Sequence, residues 1–182
     1  HLDYSRPGTV HQLNALIDRK RQITGWNQRM ASASALLHRG VPDNRLWTSE
    51  VHVDQLPATL VPNYRSDWYA VNSTMPRGPA RGMPHLSNAF AVESFIDEIA
   101  HSMKEDPLDT HLRLLGEPRQ LPLSAGGTLD TGRLANGLKL VADRHGWKNW
   151  LRSVNGLGGA GWHLTGALGA HATGGPQQRG ER

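Results

Sequence analysis

Two arginines in a loop rich in glycine and proline are the first residues of this chain whose type and spacing suggest chemistry. Arg77 and Arg81 lie in the run RGPARGMP. The planar guanidinium of arginine can donate several hydrogen bonds to a carboxylate, a phosphate or another flat acceptor while it keeps its charge. Arginines in such loops are more often surface residues than ligand contacts, so the loop alone leaves both interpretations open.

The most regular helical pattern in the sequence begins directly after this loop, and we predict a helix over residues 88–104. Its apolar residues recur every three or four positions and form one stripe: Val92, Phe95, Ile96, Ile99, Ala100 and Met103. Its polar residues form the opposite face, which we expect to point to solvent: Glu93, Ser94, Asp97, Glu98, His101 and Lys104. Ser87 or Asn88 can cap the helix start. Anchored by the stripe, this helix would hold the arginine loop in place, as proteins commonly hold ligand-contacting loops.

Other residue types that could do chemistry show weaker patterns. The chain has 10 histidines, but these five lack a recognised ligand spacing such as H-E-x-x-H: His101, His111, His145, His163 and His171. We therefore predict no metal site. The run GLGGAG at residues 156–161 has no buried strand before it and no capped helix after it, so it is not interpreted as a dinucleotide loop. The chain has no cysteine, which excludes an iron–sulfur cluster, a thiolate zinc site and a disulfide within it.

Upstream of the loop, alternating residues predict an antiparallel β-hairpin over residues 4–37. Its strands cover residues 4–17 and 23–37, and the polar residues 18–22 form the turn. Trp26, Gln28 and Met30 share one side of the second strand. Residues 38–48 and 53–65 are expected to be irregular surface connections, and residues 68–73 are a short strand candidate.

Two further helices are predicted downstream. Asp106 can cap a helix whose first residue is Pro107 and whose end is Gly116. Leu108, Leu112 and Leu115 give this helix one apolar stripe. A third helix is predicted over residues 130–145, with Gly146 at its end and the following residues on its apolar face: Leu134, Leu138, Val141 and Ala142. Residues 155–182 are glycine-rich and have no usable period, so they are expected to be poorly ordered.

Together these elements predict an α+β fold, an antiparallel hairpin sheet followed by about three packed helices. The 182 residues are 37% hydrophobic and their mean hydropathy is −0.52, which is low for a self-contained enzyme of this size. We therefore expect part of the surface to face a partner, or the chain to belong to something larger. A net charge of +4 raises nucleic acid as a partner, but the basic residues cluster only at residues 19–21, in the predicted turn. We predict no nucleic-acid binding and no transmembrane segment.

A long, ordered set of motifs resembles one protein family. The run RGMPHLSNAFAVESFIDEIAHSMKEDPLDTHLRLLG contains Arg81, Asn-Ala-Phe at residues 88–90, Glu-Ser-Phe-Ile-Asp-Glu at residues 93–98, and Asp106-Pro107. It resembles the molybdopterin-binding large subunit of the xanthine dehydrogenase and aldehyde oxidase family. The branch is that of the isoquinoline 1-oxidoreductase beta subunit, which also holds the membrane-bound aldehyde dehydrogenases of acetic acid bacteria. In weaker form the resemblance extends from about Tyr4 to about residue 147, and family members usually have glycine near Arg21.

The resemblance implies a partial molybdopterin-binding domain over residues 1–154. It comprises the hairpin (4–37), an irregular region (38–76), a cofactor-side loop (77–87) and the helices (88–146), and residues 155–182 form the tail. By resemblance, Arg81 contacts the molybdopterin cofactor, Gly82 lets the backbone approach it, and Met83 lines the substrate. The cofactor would be in its cytosine dinucleotide form.

The resemblance also implies what lies elsewhere. The family's glycine-phenylalanine-glycine loop is expected upstream of His1, and the motif carrying the catalytic base downstream of Arg182. Glu93 and Glu98 are not expected to replace that base, because helical spacing puts both on the outward face. We predict no catalytic residue in this chain, which would be an internal fragment of the large subunit.

When complete, the enzyme would oxidise an aldehyde to a carboxylic acid or hydroxylate an N-heterocycle. It would pass electrons to a small [2Fe-2S] subunit and a cytochrome c subunit. It would be periplasmic or peripheral to the bacterial inner membrane, and otherwise cytoplasmic. The alternative from another class is a non-catalytic basic binding or structural module.

Overall fold

The computed structural model describes residues 7–37, 39–75, 77–78, 85–124 and 126–147. The chain divides into two structural units. The first contains His1–Val92 and Gln120–Leu129, and the second contains Glu93–Arg119 and Asp130–Arg182. The fold is α+β, as predicted. The glycine-rich segment 155–182, predicted to be poorly ordered, lies outside the described residues.

The first unit is built on a three-stranded sheet in the order β1-β2-β3. Its strands are β1 (Thr9–Ile17), β2 (Ile23–Ser32) and β3 (Asn63–Ala70). β1 and β2 pair antiparallel, which confirms the predicted hairpin. The turn between them is held by Asp18, whose Oδ1 accepts hydrogen bonds of 2.8 Å from the backbone N–H groups of both Lys20 and Gln22. The basic residues 19–21 are exposed at this turn.

One face of β2 forms the core of this sheet. Trp26 and Met30 are 2% and 1% exposed, and Gln28 between them is buried too. The sequence predicts that these three residues share one side of the strand, because successive side chains of a strand point to opposite faces. The structure confirms this prediction.

The segment between β2 and the arginine loop is more regular than predicted. A 3-10 helix covers Asp43–Ser49, where an irregular connection is predicted, and the buried Leu46 anchors it. β3 begins at Asn63, five residues before the predicted strand, and pairs parallel with β2. A short two-stranded sheet, β4 (Gln120–Pro122) with β5 (Thr128–Asp130), is also absent from the prediction. The pairing of β3 with β2 joins residues that local patterns do not connect.

The three predicted helices all exist: α1 (His85–Ser102), α2 (Pro107–Leu115) and α3 (Thr131–Arg144). Asp106 caps α2 as predicted, with its carboxylate accepting from the backbone N–H of Leu108 at 2.8 Å. Asp130 caps α3 in the same way at Arg133. α2 and α3 pack together in the second unit, whose buried residues include Ile96, Ile99, Ala100, Leu115 and Trp147.

Three details of the helix predictions are wrong. α1 begins at His85, so Asn88 lies inside the helix, fully buried, and is not its cap. Phe95, which the periodicity puts in the buried stripe, is partly exposed, whereas Ile96 beside it is 2% exposed. On α3, Leu134 is 38% exposed and does not belong to a buried face.

Candidate functional site

The residues that the resemblance assigns to cofactor and substrate, Arg81, Gly82 and Met83, lie outside the described residues. Their neighbours in sequence that the structure describes are Arg77 and Gly78 on one side and α1, from His85, on the other. The candidate site is therefore built from the groups that hold these two flanks in the first unit.

Arg77 fixes the first flank to the backbone. Its Nε donates to the carbonyl of Ser34 at 2.9 Å, and its Nη1 donates to the carbonyl of Ser73 at 2.7 Å. Its remaining nitrogen, Nη2, is buried and has no hydrogen-bond partner among the described residues. Arg77 is thus neither a free surface arginine nor a fully satisfied structural one, because one donor of a charged group is left over.

Asn88 fixes the second flank. Its side-chain Nδ2 donates to the backbone carbonyl of Glu50 at 2.7 Å, in a fully buried position one turn into α1. At the start of the helix the ring of His85 lies 5.1 Å from the ring of His52, measured between centroids. The residue that the sequence suggests as a helix cap therefore ties α1 to the segment after the 3-10 helix.

Glu50 connects these contacts through its buried carboxylate, which is 2% exposed as a residue. Its Oε1 accepts from the backbone N–H of Ala35 at 2.9 Å and from the hydroxyl of Ser49 at 2.7 Å. Its Oε2 accepts from the hydroxyl of Ser32 at 3.1 Å, and the oxygen of Ser32 in turn accepts from the indole N–H of Trp68 at 2.9 Å. A buried carboxylate needs such donors because it has left water.

This network links the end of β2, the end of the 3-10 helix and β3 around one side chain. Since Arg77 bonds to Ser34 and Asn88 bonds to Glu50, both flanks of the arginine segment are fastened to the same network. Sequence reasoning missed Glu50, because a single glutamate at the end of a polar segment carries no local signal of burial.

The second unit holds a separate acid–base cluster that the sequence prediction placed in solvent. Oε2 of Glu93 lies 2.6 Å from Nε2 of His111 in a hydrogen bond, and the side chains of Glu93 and His111 are only 18% and 7% exposed. Asp97, one turn further along α1, is 5% exposed. The prediction that Glu93 and Asp97 face outward is wrong, whereas Glu98 is exposed as predicted.

The environment of this cluster shifts two pKa values. Burial raises the pKa of Asp97 to about 6, although the charge of His111 acts in the opposite direction. For His111 burial alone would lower the pKa, but the hydrogen bond and charge of Glu93, the Pro107 carbonyl and the charge of Asp97 together raise it. A signal for this burial existed in the sequence, since His111 lies three residues after Leu108 and four before Leu115, within the stripe of α2.

Metal binding finds no support in the described residues, which contain no group of three or more histidine or acidic side chains arranged to hold an ion. The described helices include none that combines the length and apolar character needed to cross a bilayer.

Comparison with known proteins did not identify a relative of this chain. No protein-family model matches the chain, and a search of curated proteins found no match either. The resemblance to molybdenum hydroxylases therefore rests on the order of the motifs and stays a prediction.

Proposed function

We propose that residues 4–147 form part of the molybdopterin-binding large subunit of a molybdenum hydroxylase. The proposal rests on the ordered run of motifs from Arg81 to Gly116 and on the helices in which two of these motifs lie. The Glu-Ser-Phe-Ile-Asp-Glu motif lies wholly within α1, and the Asp-Pro motif supplies the cap and first residue of α2. A motif set that coincides with a helix and a capped helix start is more specific than composition alone.

The proposed cofactor contacts are made by Arg81 and Gly82, with Met83 lining the substrate. Arginine fits the molybdopterin dinucleotide because its fork of N–H donors matches phosphate and pterin acceptors. The first unit supports the fit in two ways. Both flanks of this segment are fastened to the Glu50 network, and Arg77 carries a buried donor without a partner among the described residues. A cationic segment whose described flanks are held in place is suited to an anionic ligand.

When bound, the molybdenum group supplies the oxidation of the substrate carbon. The residues of this chain would bind and orient the cofactor, and the base that activates the hydroxylating oxygen would come from another part of the large subunit. We do not assign that role to Glu93, whose carboxylate is hydrogen-bonded to His111. The proposed reaction is oxidation of an aldehyde to a carboxylic acid, or hydroxylation of an N-heterocycle.

The proposed partners are a small [2Fe-2S] subunit and a cytochrome c subunit that take the electrons. Because the chain has no cysteine, its own residues cannot provide the thiolates of an iron–sulfur cluster. We place the assembly in the periplasm or at the periphery of the bacterial inner membrane.

The experiment that tests this function replaces Arg81 by alanine in the natural protein and measures molybdenum content and turnover. Losing one hydrogen bond from a charged group costs about 1.5–3 kcal/mol, so cofactor loading or turnover should fall by roughly one to two orders of magnitude. Arg29→Ala is the matched control, because Arg29 is an exposed arginine on β2 and should leave both quantities unchanged. If Arg81→Ala kept full molybdenum content and full turnover, the assignment of Arg81 as a cofactor contact would be wrong.

A further inference from the structure

In the cluster of Glu93, Asp97 and His111, the hydrogen-bond geometry requires a hydrogen on Nδ1 of His111. Nδ1 of His111 lies 2.8 Å from the backbone carbonyl of Pro107, and Nε2 lies 2.6 Å from Oε2 of Glu93. A carbonyl oxygen can only accept, so Nδ1 must carry a hydrogen. With Glu93 ionised, Nε2 must carry one too, and the ring is then a cation.

Asp97 adds a second carboxyl group to the same buried space. Its Oδ1 is buried and has no hydrogen-bond partner among the described residues. Asp97 and Glu93 are four residues apart on α1 and therefore lie on the same side of the helix. When His111 is neutral, the two carboxylates on this side of α1 lack the positive charge that bonds to Glu93 and attracts Asp97.

Among the residues that the structure describes, no other charged group replaces that cation. On α2, Arg113 is paired with Glu105, whose other oxygen accepts from the hydroxyl of Thr110 at 3.0 Å, and Asp109 is exposed. On α1, Glu98 and His101 are exposed. α3 packs on α2, and its charged side chains all point to solvent: Arg133, Lys139, Asp143 and Arg144.

We propose that Glu93, Asp97 and His111 form a proton-binding site that clamps α2 to residues 93–102 of α1. With the ring of His111 doubly protonated, the clamp is closed by the hydrogen bond from Nε2 to Glu93 on α1, while Nδ1 donates within α2 to the carbonyl of Pro107. Loss of one ring proton leaves like charges in a buried space and opens the contact. The site is independent of the proposed cofactor function, because every group in it belongs to this chain.

The direction of the pH effect follows from the two pKa shifts. Both groups bind protons more tightly in the folded chain than in the unfolded one, so both favour the folded state at low pH. The contribution of Asp97 is present below its ordinary pKa and is lost as the pH rises from about 4 to about 6. The contribution of His111 is fully present below pH 6.5 and is lost as the pH rises through its raised pKa. The clamp should therefore weaken as the pH rises.

The test is an NMR titration of the His111 ring in the full 182-residue chain, combined with urea unfolding at several pH values. We expect His111 to titrate above 6.5, and Glu93→Gln, which keeps the shape but removes the charge, to lower that value. The loss of stability between pH 6 and pH 9 should shrink in Glu93→Gln. His101→Gln is the matched control, since His101 is an exposed histidine on the same helix and its removal should leave the pH dependence unchanged.

Either of two results would overturn the proposal. One is a His111 titration at or below 6.5 in the wild-type chain, which needs no variant to fold. The other is a wild-type pH dependence that Glu93→Gln and His101→Gln alter to the same extent. A failure to find molybdenum in the natural protein would leave this site unaffected, so the two proposals fail separately.

Discussion

Arg21 holds the β1–β2 turn in a backbone conformation that favours glycine. Its φ is 61°, in the left-handed region where a side chain crowds the following carbonyl. The backbone N–H of Arg21 donates to the carbonyl of Asp18 at 3.0 Å, which closes the turn.

We predict that Arg21→Gly stabilises the chain by about 0.5–1 kcal/mol, because relief of strain exceeds the extra entropy of the unfolded chain. Arg19→Gly is the control in the same turn, since Arg19 is not among the residues with positive φ. It should destabilise the chain by up to about 1 kcal/mol. Urea midpoints of the two variants make the comparison, and equal losses in both would show that Arg21 is not strained.

Burial on α1 also decides which of its side chains matter for stability. Ile96 is 2% exposed, whereas Phe95 is partly exposed and Glu98 is on the solvent side. We expect Ile96→Ala to cost about 2–5 kcal/mol through the cavity it leaves, and Phe95→Ala to cost less. Glu98→Gln should change stability by no more than about 0.5 kcal/mol. If Phe95→Ala proved the most damaging in thermal unfolding, the orientation of α1 described above would be wrong.

At the scale of elements, α3 contains two glycines that differ in their surroundings. A Cβ added at Gly137 would meet nothing within 4 Å, whereas one added at Gly132 would lie 3.0 Å from Cβ of Pro118. Alanine is a better helix former than glycine by about 1 kcal/mol in an open position.

Gly137→Ala should therefore stabilise the chain by about 0.5–1 kcal/mol. In Gly132→Ala the crowding against Pro118 should cancel much or all of that gain. Circular dichroism during thermal unfolding measures both variants, and a larger gain for Gly132→Ala would contradict the packing at the start of α3.

The sequence predicts the individual helices and strands better than it predicts which strands pair with one another. The β1–β2 hairpin and the Asp106 and Gly116 ends of α2 follow from local alternation and capping, which the structure confirms. The parallel pairing of β3 with β2 places Asn63 opposite Gly25. These two residues are so far apart in the sequence that local periodicity cannot predict their pairing. Local patterns therefore give the elements but leave the sheet incomplete.

The candidate groups were mispredicted for a related reason. Helical periodicity puts Glu93 and Asp97 on a polar face, and a polar face is usually solvated. Here α2 supplies His111 as a buried partner, which turns that face into an interior one. Glu50 is buried in the same way by donors from β2 and the 3-10 helix. Such partners come from distant elements, so only the folded chain reveals them.

At the scale of the whole molecule, the chain would supply only part of a cofactor site. One loop would have to hold a large anionic cofactor and offset the entropy lost by both partners, which costs several kcal/mol or more. We therefore predict that the isolated 182-residue chain binds no molybdenum cofactor stably and shows no dye-linked dehydrogenase activity. Metal analysis after gel filtration and a dye-reduction assay check this, and stoichiometric molybdenum in the isolated chain would show that it needs no further part of the subunit.

The molybdenum and pterin content of the natural protein that carries this sequence tests the proposed function most directly. The protein should be purified intact from its own host, grown with molybdate, and analysed for both components against its chain concentration. We predict stoichiometric molybdenum and pterin. An intact, folded natural protein with neither component would contradict the molybdenum hydroxylase proposal and favour a non-catalytic basic binding or structural module.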